Sequence, residues 1–139
     1  MIRKVTLKDC DRLVTLLEQL GYPHTEAFIQ NRVSELLKDT DAMLVVYEED
    51  ETILALLSLH IIPQIALLKP FLRISYFVVD EGARGKRIGE KLEAYATEFA
   101  REKACDRIEV HCHERRKDAH RFYVRQGYSE SPKYFMKML

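Results

Sequence analysis

Residues 71–99 constrain the fold more than any other part of the chain. Residues 71–79, Phe-Leu-Arg-Ile-Ser-Tyr-Phe-Val-Val, place apolar side chains on both alternating faces of an extended segment. A strand of that kind is buried on both sides and reads as central in a sheet. It runs directly into Asp80-Glu81-Gly82-Ala83-Arg84-Gly85-Lys86-Arg87-Ile88-Gly89, a basic turn bearing glycines. Ile88, Leu92, Tyr95, Ala96 and Phe99 then recur at helical spacing. Such a turn leaves several backbone N–H groups pointing outward at a helix N-terminus. The helix dipole adds partial positive charge there, and Arg84, Lys86 and Arg87 add formal charge. The segment is an anion site in the physical sense, suited to a pyrophosphate, and Gly85 and Gly89 let a ligand approach the backbone closely. No Gly-Lys-Ser/Thr follows and Gly-x-Gly-x-x-Gly is absent, so neither a Walker loop nor a dinucleotide fingerprint is present. Taken alone, the turn also fits a strand-to-helix loop with a solvated basic face.

A second feature narrows the choice. Asp118-Ala119-His120-Arg121-Phe122-Tyr123-Val124-Arg125-Gln126-Gly127-Tyr128 reads as a helix carrying Phe-Tyr and stopped by Gly-Tyr, one strand after the basic turn. With these two segments the chain resembles the GCN5-related N-acetyltransferases (GNAT), which transfer an acetyl group from acetyl-CoA to an amine. In that family the turn reads Arg/Gln-x-x-Gly-x-Gly/Ala, and here it reads Arg84-Gly85-Lys86-Arg87-Ile88-Gly89, with Arg87 where the family usually has Gly. The later segment, often Asn-x-x-Ala-x-x-Phe-Tyr-x-x-x-Gly-Phe, is matched by Ala119, Phe122, Tyr123, Gly127 and Tyr128, with Arg116 in place of the Asn. The run 117–123 is also similar to the aminoalkylphosphonate N-acetyltransferases, mostly in the cofactor half.

The resemblance implies a mixed α/β (α+β) fold with a mostly antiparallel central sheet flanked by helices. Two neighbouring parallel strands, here 71–79 and 107–112, would splay apart to admit the cosubstrate acetyl-CoA. It places the CoA pyrophosphate on Arg84, Gly85, Lys86, Arg87, Ile88 and Gly89. Phe77, Val78 and Val79 would pair with the pantetheine amides in strand-like fashion, and Arg116, Ala119 and Phe122 would complete the cofactor wall. Tyr123 becomes the candidate general acid for the departing thiolate, because a phenol at that position can donate a proton. The alternative for Tyr123 is packing alone. The base is open among His111, Glu109, His60, Glu81 and a water chain, since Arg73 occupies the place of the strand Glu used by some members and cannot act as a base. Tyr22, Phe28, Tyr76 and Tyr134 are expected to line an acceptor pocket with loop 21–24 and a last hairpin, and Arg73 is a candidate partner for an acidic group on the acceptor.

The rest of the chain bounds these readings. Its 139 residues suffice for one domain with one sizeable core. Lys+Arg and Asp+Glu both total 22, so the net charge is zero and a nucleic acid is not expected as a partner. No apolar run approaches a membrane span, and the N-terminus lacks a signal-peptide core, so no membrane association is expected. Cys10, Cys105 and Cys112 lack metal-type spacing and fit reduced cytoplasmic thiols. His111 and His113 share a strand face but find no evident third ligand, so no metal site is expected. Further strands are expected at 2–5, 42–47, 52–62 and 134–138, and helices over 10–20, from about 26 to 37 with Thr25 as cap, and over 117–126. The expected activity is acetyl transfer to a small-molecule primary amine, with homodimerisation left open. A CoA-binding or regulatory module without turnover, or a protein N-acetyltransferase, is the alternative.

Overall fold

The computed structural model describes residues 1–131 and 134–139. Five strands form one sheet in chain order: β1 (Ile2–Lys4), β2 (Ala42–Glu49), β3 (Thr52–Ile62), β4 (Phe71–Val79) and β5 (Ile108–Val110). Neighbours from β1 to β4 are antiparallel, and β4 pairs with β5 in parallel. Helices α1 (Cys10–Leu20), α2 (Ile29–Lys38), α3 (Ile88–Glu102) and α4 (Lys117–Arg125) flank the sheet. The mixed, mostly antiparallel sheet with a parallel pair at the expected strands agrees with the fold class read from the sequence.

Alternation along the strands builds a core on each face. Val45, Tyr47, Ala55, Leu57, Leu59, Leu72 and Ile74 meet Ile88, Leu92, Ala96 and Phe99 of α3. On the opposite face Leu44, Val46, Leu56 and Val78 meet Leu13, Leu16 and Leu17 of α1 and Ile29 and Val33 of α2. Burying a side chain such as Leu16 or Leu92, both fully buried, is worth roughly 1.5–3 kcal/mol.

Between β3 and β4 the register shifts: Ser58 faces Tyr76, but Leu59 faces Ile74. Ser75 is therefore an extra residue, a β-bulge, which bends its strand and exchanges the faces of all residues beyond it. Before the bulge the even residues Leu72 and Ile74 face α3; after it the odd residues Phe77 and Val79 do, and the even residue Val78 faces α1. The parallel pairing consists of Leu72 with Ile108, Arg73 with Glu109 and Ile74 with Val110, and it ends where the bulge begins.

Several local expectations are corrected. β5 is shorter than 107–112, because β4 leaves it after Ile74. Residues 134–138 are not a strand: they pair with nothing among the described residues. The expected last hairpin includes residues 132 and 133, which lie outside the described residues. Thr25 caps no helix; it starts a separate 3-10 turn, its hydroxyl is buried without a hydrogen-bond partner among the described residues, and α2 begins only at Ile29. Leu37 is exposed, the buried face of α2 being Ile29 and Val33 with Leu36 packed beside them. The β2–β3 turn narrows to Asp50 and Glu51, both at positive φ (49° and 61°), as a tight hairpin turn demands.

The N-terminal strand is tied down by a charged cluster. Arg3 donates to both carboxylate oxygens of Asp9 at 2.9 Å and to Glu48 at 2.9 Å. Asp9 also accepts from the Thr6 backbone N–H at 2.8 Å, closing the capping box before α1. Hydrogen bonding from Arg3 holds the Asp9 carboxyl below its ordinary value, against the opposing effect of burial. A depressed carboxylate contributes stability above its unfolded pKa, and that contribution is lost as pH falls through the folded one. Asp9→Asn is expected to destabilise the fold by about 1–3 kcal/mol at pH 7. The gap to wild type in denaturant unfolding should close as pH falls below the ordinary carboxylate range.

Candidate active site

The splayed strands open onto a cleft of about 750 Å³, within the usual range for ligand sites. Its floor is Phe77, Val78 and Val79 on the edge of β4 that β5 leaves free. One rim is the turn from Ala83 to Gly89, and the other is α4 with the residues before it, including Arg115 and Arg116. The two segments singled out from the sequence thus face each other across one opening. All the expected cofactor residues and Tyr123 line it except Lys86. The Lys86 ammonium instead donates to Glu49 in the β2–β3 hairpin at 2.9 Å, a bond that holds it above its ordinary pKa.

The turn forms an N–H cradle. Gly85 (φ 91°) and Arg87 (φ 59°) are both left-handed. No acceptor among the described residues meets the backbone N–H groups of Gly85 to Glu90. The first helical N–H groups of α3 therefore point unpaired into a basic opening, the arrangement that binds phosphate oxygens. Gly89 is constrained from the other side: an added Cβ would lie 3.3 Å from the Phe122 ring and 3.9 Å from Val79. Phe122 in turn meets Phe77 edge-on, with centroids 5.9 Å apart. The absence of a side chain at Gly89 lets α4 close against the start of α3.

Charge is concentrated here although the whole chain is neutral. Arg84, Arg87, Arg115, Arg116, Lys117 and Arg125 outnumber Glu81, Glu90 and Asp118 around the opening. Charges of one sign on low-dielectric walls raise the local concentration of an anionic ligand.

Tyr123 is half-buried on α4, beside Phe77 (6.5 Å) and Tyr128 (5.3 Å). Burial pushes its phenol well above the ordinary value, with the Cys112 thiol a smaller contribution in the same direction. Its hydroxyl has no hydrogen-bond partner among the described residues, and Tyr123 is one of the residues that line the opening. The Tyr128 hydroxyl is used differently: it donates to Glu93 at 3.2 Å.

The candidate bases do not gather at the cleft. Glu109 accepts from Arg107 at 2.7 Å and Arg73 at 3.4 Å. His60 lies beside Asp39 at 3.4 Å, and His111 stacks on Tyr134 at 4.3 Å. Glu81 lies on the rim. Of the expected acceptor aromatics, Tyr22 and Tyr76 meet edge-on at 5.4 Å. Phe28 lies under Arg32, and Tyr134 pairs with His111. No group of three or more metal-ligating side chains occurs among the described residues, and no helix is long and apolar enough to cross a membrane.

Two contributors were missed in the sequence. Gln19, at the end of α1, donates to Asp80 at 2.7 Å and accepts from the Glu81 backbone N–H at 3.0 Å, so it fixes the entry to the cradle. A surface Gln carries no signal of this. Glu93, 7% exposed, is held by Thr97 at 2.7 Å and by Tyr128 behind Tyr123. Its signal was a carboxylate next to the core stripe of α3.

Residues 10–128 match the acetyltransferase (GNAT) family profile. The chain is 30% identical, over 99% of its length and 90% of the other protein, to an aminoalkylphosphonate N-acetyltransferase from Salmonella typhimurium. It superposes over its whole length on 99% of a Bacillus halodurans protein described as a transcriptional regulator, with a TM-score of 0.91 and 24% identity. Glucosamine-6-phosphate N-acetyltransferase from Arabidopsis thaliana gives a TM-score of 0.86 and 25% identity, covering 99% of this chain and 97% of that one. The chain belongs to the GNAT acetyltransferase family. It is an N-acetyltransferase, and acetyl-CoA is the family's cosubstrate.

Arg87 stands at a left-handed position, where a Cβ costs about 1–2 kcal/mol. Arg87→Gly is therefore expected to stabilise the fold by about 1 kcal/mol. Arg87→Ala removes the same charge, keeps the strain and should give no such gain. Denaturant midpoints of the two variants check this.

Proposed function

We propose that this chain, as one N-acetyltransferase domain, transfers the acetyl group of acetyl-CoA to a primary amine of a small molecule in the cytoplasm. The observation that carries the cosubstrate half is the unpaired N–H cradle at Gly85 to Glu90, set among arginines and opposite the free edge of β4. The residues fit the cosubstrate: the cradle and Arg84 and Arg87 take the pyrophosphate. Phe77, Val78 and Val79 offer strand-edge backbone groups to the pantetheine amides, and Arg116, Ala119 and Phe122 form the facing wall. Lys86 contributes through the hairpin contact to Glu49 rather than from the lining.

In the reaction the neutral amine attacks the thioester carbonyl. A carbon–nitrogen bond forms, the carbon–sulfur bond breaks, and the surplus amine proton leaves through water. A β4 backbone N–H of Val78 or Val79 polarises the carbonyl as charge develops on its oxygen. Tyr123 gives its phenolic proton to the departing thiolate and regains one from the water that takes up the amine proton, so the cycle closes with the amide and CoA thiol. Burial keeps the phenol protonated, as a donor must be, and at the same time makes it a weaker acid, so the transfer depends on the charge that develops on the departing sulfur. Water is the acceptor of the amine proton, since Glu109 and His60 are held by other side chains.

The small-amine reading draws on two named relatives. The Salmonella protein is an aminoalkylphosphonate N-acetyltransferase, and the Arabidopsis protein acts in name on glucosamine 6-phosphate. Both acceptors pair a primary amine with a phosphorus oxyanion. The Tyr22–Tyr76 pair offers an apolar, half-open surface on the acceptor side of β4.

Purified protein should release free thiol from acetyl-CoA with at least one member of a panel of aminoalkylphosphonates, amino sugars and polyamines. CoA alone should raise the melting temperature, because a ligand that binds only the native state stabilises it. Failure of both would overturn the reading; a CoA shift without thiol release from any amine would leave a binding module. Tyr123→Phe should lower kcat by about 10²–10⁴ with little change in KM for acetyl-CoA. Unchanged kcat would make the hydroxyl structural.

A further inference from the structure

We propose that Arg73 is the receptor for an oxyanion on the acceptor, so that the amine acetylated by this chain is one that also carries a negative charge. The inference rests on the small-amine reading and narrows it to a substrate class. The bulge decides where Arg73 stands. Leu72 and Ile74 face α3, so Arg73 between them faces the α1 side. Beyond the bulge the faces exchange, and Tyr76 shares the face of Val78, which is again the α1 side. Arg73 and Tyr76 therefore stand on one surface, and Tyr22, just past the end of α1, meets Tyr76 edge-on at 5.4 Å. None of the three lines the cosubstrate cleft. An amine that comes over this surface reaches the free edge of β4 from the side opposite α3 and α4, with its remaining groups lying back along β4 towards Arg73.

Arg73 has donors to give there. In register it lies between His60 of β3 and Glu109 of β5. Among the described residues its one hydrogen bond runs from Nη2 to Glu109 Oε1 at 3.4 Å, longer than an ordinary N–H···O bond. Its Nε is buried and donates to nothing among them. Arg107 is the opposite case: Nε donates to Glu109 at 2.7 Å, Nη1 to Asp106 at 2.9 Å and Nη2 to Gln64 at 3.0 Å. Glu109 therefore keeps a tight partner when Arg73 leaves. Phe71 also stays covered, because the Arg107 guanidinium lies 4.5 Å from its ring centroid and that of Arg73 5.4 Å. His60 is turned to Asp39 at 3.4 Å. The resting place of the Arg73 guanidinium thus costs a buried donor, and its neighbours remain satisfied without it. With 34% of its side-chain surface exposed, Arg73 is able to turn along β4. Its guanidinium is always charged, and the fork fits a carboxylate or a phosphorus oxyanion. A neutral acceptor would leave these donors as they were. With one residue taken up by the bulge, Arg73 lies about 10–13 Å before Phe77 and Val78, a gap that the side chain and a short bifunctional acceptor close together.

Isothermal titration of the CoA-saturated protein with propylphosphonate and with butyrate, neither of which carries an amine, tests the receptor apart from acetyl transfer. CoA fills the cradle, so neither anion reports from there. At least one should bind, and the stronger of the two identifies the oxyanion. Arg73→Met should weaken that binding by about 10- to 100-fold. Glu109→Gln removes the competing carboxylate, keeps its shape and should tighten the binding. No binding to the wild type overturns the proposal. Equal binding to Arg73→Met, or binding to Glu109→Gln no tighter than to the wild type, also overturns it. A retained gain in melting temperature with CoA shows that Arg73→Met is folded; if it is not, Arg73→Gln should show the same loss and takes its place. In turnover, aminoalkylphosphonates or amino acids with two to five carbons between the groups should exceed amino alcohols of equal length in kcat/KM. Arg73→Met should erase that preference by raising KM for the anionic acceptors, with the amino alcohols unchanged. Equal use of charged and neutral acceptors by the wild type overturns the proposal. Absence of thiol release from every amine overturns the small-amine reading instead, and the titration still decides the receptor.

Discussion

The bulge at Ser75 is the constraint on which the rest of the structure depends. One additional residue opposite the Ser58–Leu59 step bends β4 away from β5 at the level of Ile74 and Val110. Without it the parallel ladder would continue towards Val79, and the backbone edge now facing the cleft would be spent on β5. The same residue exchanges the faces of β4. Phe77 and Val79 turn towards α3 and Phe122, while Val78 closes the other core against α1. A single insertion thus opens the cleft, supplies its floor and keeps both faces of the sheet filled. Bulges re-aim side chains and terminate pairing in this way wherever a sheet must admit a ligand.

The cleft also shows how a neutral chain makes a strongly polarised site. Equal numbers of acidic and basic residues give no net charge, so any local preference for an anion must come from placement. Asp9, Glu48 and Glu49 are drawn off by Arg3 and Lys86 at the β1 and β2–β3 end of the sheet. Arginines remain around the N-terminus of α3, with the unpaired N–H groups at their centre. Lys86 sits in the basic turn by sequence but serves in that separation by binding Glu49. Its contribution is to hold the turn against the hairpin, while the backbone N–H groups of the turn stay unpaired among the described residues.

Element type, order and the two site segments were legible in the sequence, because they rest on local signals. Apolar runs marked β2 to β4, helical spacing marked α1 and α3, and glycines with cations marked the turn. What was not legible is non-local. The bulge is invisible in Ser75, since its two neighbours are placed by register with β3 rather than by their own pattern. The length of β5 depends on where β4 departs, so the alternating pattern of 107–112 overstates it. Thr25 has the composition of a cap, yet the chain reverses through a 3-10 turn before α2 begins. Gln19 and Glu93 act through contacts 61 and 35 residues away, and no local pattern encodes such partners. The apolar run 134–138 carries the signal of a strand, but a strand also needs an edge to pair with.

The two tyrosines of the C-terminal motif illustrate how chemistry is divided between similar groups. Tyr123 and Tyr128 lie 5.3 Å apart, and burial raises both phenols. For Tyr128 the carboxylate of Glu93 adds to that rise, and its hydroxyl is spent on that carboxylate. A phenol bound to a buried carboxylate has its proton engaged and its rotamer fixed, so it supports the wall. Tyr123 keeps the same protonated state without an internal acceptor among the described residues, and it lines the cleft. Glu93 is itself satisfied by Thr97 and Tyr128, which spares the fold an unpaired buried carboxylate. The pair behind the cleft therefore fixes one phenol and leaves its neighbour available, the condition that a proton donor to a departing thiolate requires.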